Sequence, residues 1–162
     1  MEDHKRHVYR LKFSVITVST TRDEKSDESG RIIIDILKKN GMEVNNYNVV
    51  KDDVVEIRNA LFNSIKKSDV IIFNGGTGIS KNDVTPEALL PFLRKLEGFG
   101  EIFRLLSFQE IGVTAMMSRA LAGTFDGKVV FAIPGSPKAC RLAVEKIIIP
   151  EINHIWYELN KE

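Results

Sequence analysis

The first half of the chain sets short apolar runs against apolar stripes of helical period. Residues 11–19 (LKFSVITVS) read as a strand, and so do residues 44–50 and the fully apolar run 70–73. Between them, Ile32, Ile33, Ile36 and Leu37 fall on one face of a helix that Ser26 or Asp27 caps and Gly41 ends. Val54, Ile57, Leu61 and Ile65 form a second stripe, on a helix predicted to start at Asp52 or Asp53 and run to Lys67. Strand, helix, strand, helix, strand is the rhythm of a parallel sheet.

The second half is less regular. A helix is expected from Pro86, with a kink or break at Pro91. Gly98-Phe99-Gly100 reads as a punctuation point, and residues 101–106 and 113–117 as short helices. Residues 119–125 and 128–133 flank Asp126-Gly127, a two-residue hairpin signal. The second of these strands runs into Pro134-Gly135-Ser136-Pro137 and a helix carrying Ala139, Leu142, Ala143, Ile147 and Ile148. Pro150 is expected to interrupt that helix before a last segment with Ile152, Ile155, Trp156 and Leu159. The expected fold is α/β: three layers, α/β/α, with a mostly parallel sheet and an antiparallel hairpin contribution. Residues 1–10 are polar and read as a flexible N-terminal arm, and residues 11–162 as one domain.

The most informative segment interrupts this pattern. After the third strand comes Asn74-Gly75-Gly76-Thr77-Gly78-Ile79-Ser80-Lys81-Asn82-Asp83-Val84-Thr85-Pro86-Glu87-Ala88. Thr85 reads as the cap of the following helix, with Pro86 at its first position. A glycine-rich loop at the carboxyl end of a strand is where open α/β sheets bind ligands. Gly75, Gly76 and Gly78 allow close backbone approach and an anion nest, Thr77 adds a hydroxyl, and Asp83 a carboxylate for a metal ion. The spacing fits neither the Walker loop nor the dinucleotide fingerprint. Other strand ends join the same rim: Ser19 and Thr20 after the first, Asp52 after the second, and Pro134, Gly135 and Ser136 after the last. Asp52 reads either as a helix cap or as a metal ligand. Ser118-Arg119 reads as a phosphate clamp or a surface pair. The 134–137 turn is a strand-to-helix connection or an anion site.

Composition narrows the class. Lys plus Arg number 23 and Asp plus Glu 22, a net charge of +1, which argues against a general nucleic-acid or membrane binder. Cys140 is the single cysteine, so no intrachain disulfide or zinc cluster forms; it reads as a small core residue. No apolar run reaches membrane-spanning length and the N-terminus has no signal-peptide core, so a cytoplasmic location is expected. No Ser/His/Asp triad is visible. His4 and His7 read as part of the arm, and His154 as structural or exposed.

Taken together, Gly75-Gly76-Thr77-Gly78, Asp83-Val84-Thr85-Pro86-Glu87-Ala88, Gly98-Phe99-Gly100-Glu101, Ser118-Arg119 and Pro134-Gly135-Ser136-Pro137-Lys138-Ala139 resemble the MoaB/Mog family of molybdenum cofactor biosynthesis. Residues 104–118 and the short C-terminus look more like its MoaB branch. The resemblance implies a molybdopterin-binding fold and Mg²⁺-dependent adenylylation of molybdopterin by ATP, giving adenylyl-molybdopterin and pyrophosphate. It implies Asp52 and Asp83 as the catalytic and metal-holding pair, with Ser118 and Ser136 as secondary contacts to the pterin or its phosphate. It also implies a homo-oligomer, trimer or hexamer, and the downstream metal-insertion protein as a partner. The chain departs from the family pattern at Asn74 (usually Thr), Asn82 (usually Arg), Lys51 (usually Pro) and Thr20 (often Asp). Lys81 is the adjacent replacement for the missing arginine. The resemblance implies a place in molybdenum or tungsten cofactor biosynthesis; the alternative is a non-catalytic oligomer that binds molybdopterin or a precursor in the same pathway without adenylylating it.

Overall fold

The computed structural model describes residues 8–162; the expected arm therefore lies largely outside the described residues, as do His4 and His7. Six strands form one sheet in the order β2-β1-β3-β6-β5-β4. They are β1 (Lys12–Val18), β2 (Glu43–Val50), β3 (Val70–Asn74), β4 (Arg94–Lys95), β5 (Leu121–Phe125) and β6 (Lys128–Ile133). The first three and β6 are mutually parallel, while β5 and β4 run antiparallel at one edge. The hairpin forms as expected: Asp126 and Gly127 take φ of 51° and 73°, the paired left-handed values that match strand twist in a two-residue turn.

Helices cover both faces. α1 (Glu28–Lys39) lies on one face with α4 (Glu97–Ile111), α5 (Pro137–Ala143) and α6 (Ile149–Asn160), over a core of Phe13, Val15, Ile72, Phe103 and Phe131. α2 (Val54–Ser64) and α3 (Thr85–Leu89) cover the other, over Ile16, Ile57, Leu61, Ile71 and Phe73. Asp27 is the cap of α1, accepting from the Gly30 N–H at 3.0 Å. β1 feeds α1 on one face and the neighbouring β3 feeds α3 on the other. The crevice between their carboxyl ends is the switch point where such sheets take ligands.

Several expectations are corrected. Gly98-Phe99-Gly100 does not break the chain; it lies inside α4, one fifteen-residue helix in place of a shorter one. Gly100 is needed there, because a Cβ would stand 2.8 Å from the Ala120 carbonyl oxygen. α2 stops at Ser64, short of Lys67. Pro150 does not interrupt the last helix. A π-helical turn, Val144–Ile148, joins α5 to α6, and the Ile149 N–H donates five residues back to the Val144 carbonyl. The wider turn accommodates a residue with no N–H of its own. Thr85 is not a cap, because no side chain caps α3 and the Thr85 hydroxyl is committed elsewhere.

Candidate functional site

At the switch point, β1 ends in Ser19 and Thr20, β2 in Lys51 and Asp52, and β3 in the glycine loop. A cavity of about 520 Å³ opens between them, lined by Val18, Ser19, Thr20, Thr21, Arg22, Asp52, Gly76, Asn82 and Asp83. Five residues singled out from the sequence therefore meet around one space: Ser19, Thr20, Asp52, Gly76 and Asp83.

Asp52 is free of helix duty. Its neighbour Asp53 caps α2, accepting from the Glu56 N–H at 3.0 Å. Asp52 Oδ2 instead accepts from the Thr20 N–H at 3.0 Å and the Thr20 hydroxyl at 2.9 Å. Its Oδ1 faces the glycine loop, 3.3 Å from where a Gly76 Cβ would stand. Asp83 closes its own loop, with Oδ2 accepting from the Ser80 N–H at 3.0 Å. Both carboxylates are half-buried. Among the described residues no group of three or more His, Cys, Asp or Glu side chains is placed to hold a metal ion. Two carboxylates with open oxygens suit Mg²⁺, which takes one or two carboxylates and completes its octahedron with water and phosphate oxygens.

The glycine loop is shaped by contact with its surroundings. Gly75 has φ of 103°, and a Cβ there would come within 2.3 Å of the Val18 carbonyl oxygen. Its N–H donates to the Ile133 carbonyl at 2.9 Å, and its own carbonyl accepts from the buried Thr85 hydroxyl at 2.8 Å. Gly76, at φ 70°, receives the Thr85 N–H on its carbonyl. Gly135 abuts Gly75: its Cβ would lie 3.2 Å from the Gly75 Cα. The two glycine turns are thus in direct backbone contact.

Other sequence candidates are tied into the framework. Arg119 donates to the Gly78 carbonyl at 2.9 Å, to the Asp83 carbonyl at 2.8 Å and to both carboxylate oxygens of Glu87. That pairing holds the Glu87 carboxyl below the usual carboxylate range and raises the guanidinium further. Arg119 is a brace that shapes the loop. Thr77 is buried, and its carbonyl accepts from the Arg119 N–H. Ser118 Oγ accepts from the Ala120 N–H, and Ser136 caps α5 by accepting from Ala139; neither lines the cavity. Pro134 offers its carbonyl to the Cys140 thiol. Burial pushes that thiol up to about 12.

Sequence reading missed two features. The first is Arg22, in the polar stretch after β1. The second is a buried polar row beneath the rim. Asp27 accepts from the Thr17 hydroxyl at 2.6 Å and from the Tyr47 hydroxyl; burial and that bond raise the Tyr47 phenol. Because the Thr17 proton is spent on Asp27, its oxygen accepts from Asn74 Nδ2 at 2.9 Å. This fixes the Asn74 amide and leaves its buried Oδ1 without a protein partner among the described residues.

A mostly parallel sheet with a glycine loop, two carboxylates and a cleft at the switch point is the arrangement in which α/β proteins bind ligands. Residues 14–154 match the family described as a probable molybdopterin binding domain. Molybdenum cofactor biosynthesis protein B of Bacillus cereus is 44% identical over 165 residues, spanning 99% of this chain and 98% of that protein. The same-named protein of Staphylococcus epidermidis is 48% identical over 156 residues, covering 92% of this chain and 89% of its own. The crystal structure of the tungsten cofactor synthesizing protein MoaB from Pyrococcus furiosus superposes with a TM-score of 0.87 at 38% identity, covering 96% of this chain and all of that one. The chain belongs to the MoaB/Mog family of molybdenum cofactor biosynthesis proteins.

Proposed function

We propose that this protein adenylylates molybdopterin: the terminal phosphate of molybdopterin attacks the α-phosphorus of ATP, a new P–O bond forms, and pyrophosphate leaves with the electrons of the broken bond. The observation that carries the reading is the freedom of Asp52. A carboxylate beside a helix start normally caps it; here Asp53 does so, and Asp52 turns into the cleft shared with Asp83.

Phosphoryl-type transfer asks for position and charge balance more than for a covalent nucleophile. Thr20 fixes Asp52 through two hydrogen bonds, and the Ser80–Asp83 turn fixes Asp83. Asp52 and Asp83 would hold the Mg²⁺ of the nucleotide, which would offset phosphate charge. Gly76 lines the cleft between them, and a Cβ there would collide with the Thr85 hydroxyl and crowd Asp52 Oδ1, so the carboxylate keeps its place only beside a glycine. The metal served downstream is molybdenum or tungsten, and the adenylylated pterin passes to the metal-insertion protein. The protein works as a homo-oligomer, a trimer or a hexamer, joined through an apolar face: Ile102, Leu105, Phe108 and Ile111 of α4 and Val113 and Met116 of the next turn all stand exposed.

Purified protein incubated anaerobically with molybdopterin, Mg²⁺ and α-labelled ATP should yield labelled adenylyl-molybdopterin, and Asp83→Asn should yield none. Retained pterin binding with no product from the wild-type protein would replace this reading with that of a non-catalytic pterin carrier.

A further inference from the structure

We propose that Arg22 is the cation that receives the ligand's phosphates in this cleft. The inference rests on the phosphate-ligand reading above and names the group that supplies its fixed positive charge. Among the described residues lining the carboxylate cavity, Arg22 is the one cation. Arg119 is committed to Glu87 and two carbonyls. Lys81 is exposed and lines no part of the cavity, so it does not stand in there for the arginine that the family resemblance leads one to expect at Asn82.

Arg22 is held in place while its charge stays available. Its backbone N–H donates to Ser19 Oγ at 3.1 Å, anchoring the residue to the end of β1. Its Nη1 reaches Ser29 Oγ and the Gly135 carbonyl, each at 3.4 Å. Both bonds are long and both acceptors neutral, and no carboxylate among the described residues forms an ion pair with it. A guanidinium carries five donors in a planar fork that suits phosphate oxygens, so most of its capacity stays open. A polyanion entering between Asp52 and Asp83 needs such a counter-charge.

Position adds a second argument. A neighbouring cavity of about 560 Å³ extends along α2 past Asn59 and Asn63. Ser19, Thr20 and Arg22 line both cavities, so they form the ridge between them. A ligand made of two ring systems joined through phosphates would lie with a ring on each side and its phosphates on the ridge, against Arg22.

The test is Arg22→Ala and Arg22→Lys, assayed for adenylylation, for binding of Mg²⁺-pyrophosphate and of molybdopterin by calorimetry, and for melting temperature. Arg22→Ala should raise the KM for ATP and the Kd for pyrophosphate by roughly tenfold or more, with the melting temperature held. Arg22→Lys keeps the charge and loses the fork, so it should recover only part of the affinity; it also serves should the alanine variant fold poorly. Wild-type affinities in both variants would overturn the inference and leave adenylylation standing. If the wild-type protein makes no adenylyl product, the transfer reading falls alone when Arg22→Ala still weakens molybdopterin binding tenfold, and both fall when it does not.

Discussion

Replacing Asp52 removes no helix cap, whereas replacing Asp53 does. Asp53→Ala should therefore cost about 1 kcal/mol, roughly 2–4 °C of melting temperature for a chain of this size, with turnover nearly intact. Asp52→Asn should do the reverse: little change in melting, and adenylylation lost by orders of magnitude. Matched melting and turnover curves separate the two. Cys140 makes a different prediction. Its thiol sits at about 12, against 9.0 for an unperturbed one. Below about pH 9 both native and unfolded chains hold the proton. Above it the unfolded chain releases the proton and the native chain keeps it, so stability falls as pH rises toward 12. The Tyr47 phenol, also raised, adds to the same fall. Urea midpoints at pH 8 and pH 11 should drop more in the wild-type protein than in Cys140→Ala, and thiol reagents should label the native protein slowly at pH 8.

At the scale of elements, the positive-φ glycines differ in what surrounds them. Gly41 has φ of 75° and open space around it; Gly75 has φ of 103° and the Val18 carbonyl in its path. Gly41→Ala should cost about 1 kcal/mol, the strain of a left-handed alanine, and Gly75→Ala roughly twice that or more, because backbone must move; chemical denaturation of the pair measures the difference. The same contrast explains what could be read in advance. The Asp27 cap, the Asp126-Gly127 hairpin and the glycine loop are local chemistry, and local chemistry is written in consecutive residues. β4 is not: Arg94 and Lys95 have no strand pattern and are extended only because Thr124 and Gly123 of β5 pair with them. Gly100 lies in a helix because Ala120 approaches it from elsewhere in the chain. In the site, Asp83 stood out by its place in the glycine loop, whereas Asp52 read as a cap or a ligand and was singled out by the family resemblance. Arg22 was not legible, since its place depends on Ser19, Ser29 and Gly135 coming together from three segments.

For the whole molecule, the exposed face of α4 sets the expectation. Leu105 is 58% exposed and Phe108 51%, alongside Ile102, Val113 and Met116. Apolar surface gathered in this way marks association. Phe108→Glu, at a position half exposed in the single chain, should reduce the mass seen by light scattering to that of a smaller species, with the circular dichroism spectrum retained. A wild-type protein that already runs as a monomer would remove self-association from the account.

The stacking of Gly75 on Gly135 bears on how such a protein can change over evolutionary time. A Cβ on Gly135 would press on the Gly75 Cα and one on Gly75 would meet the Val18 backbone, so neither position takes a side chain without movement of backbone. Neither turn can drift alone, and single mutational steps through this point lead to proteins whose cleft is misshapen. Diversification among relatives should therefore gather on the outward rim, at exposed positions such as Lys51 and Asn82, where a side chain can be exchanged one at a time.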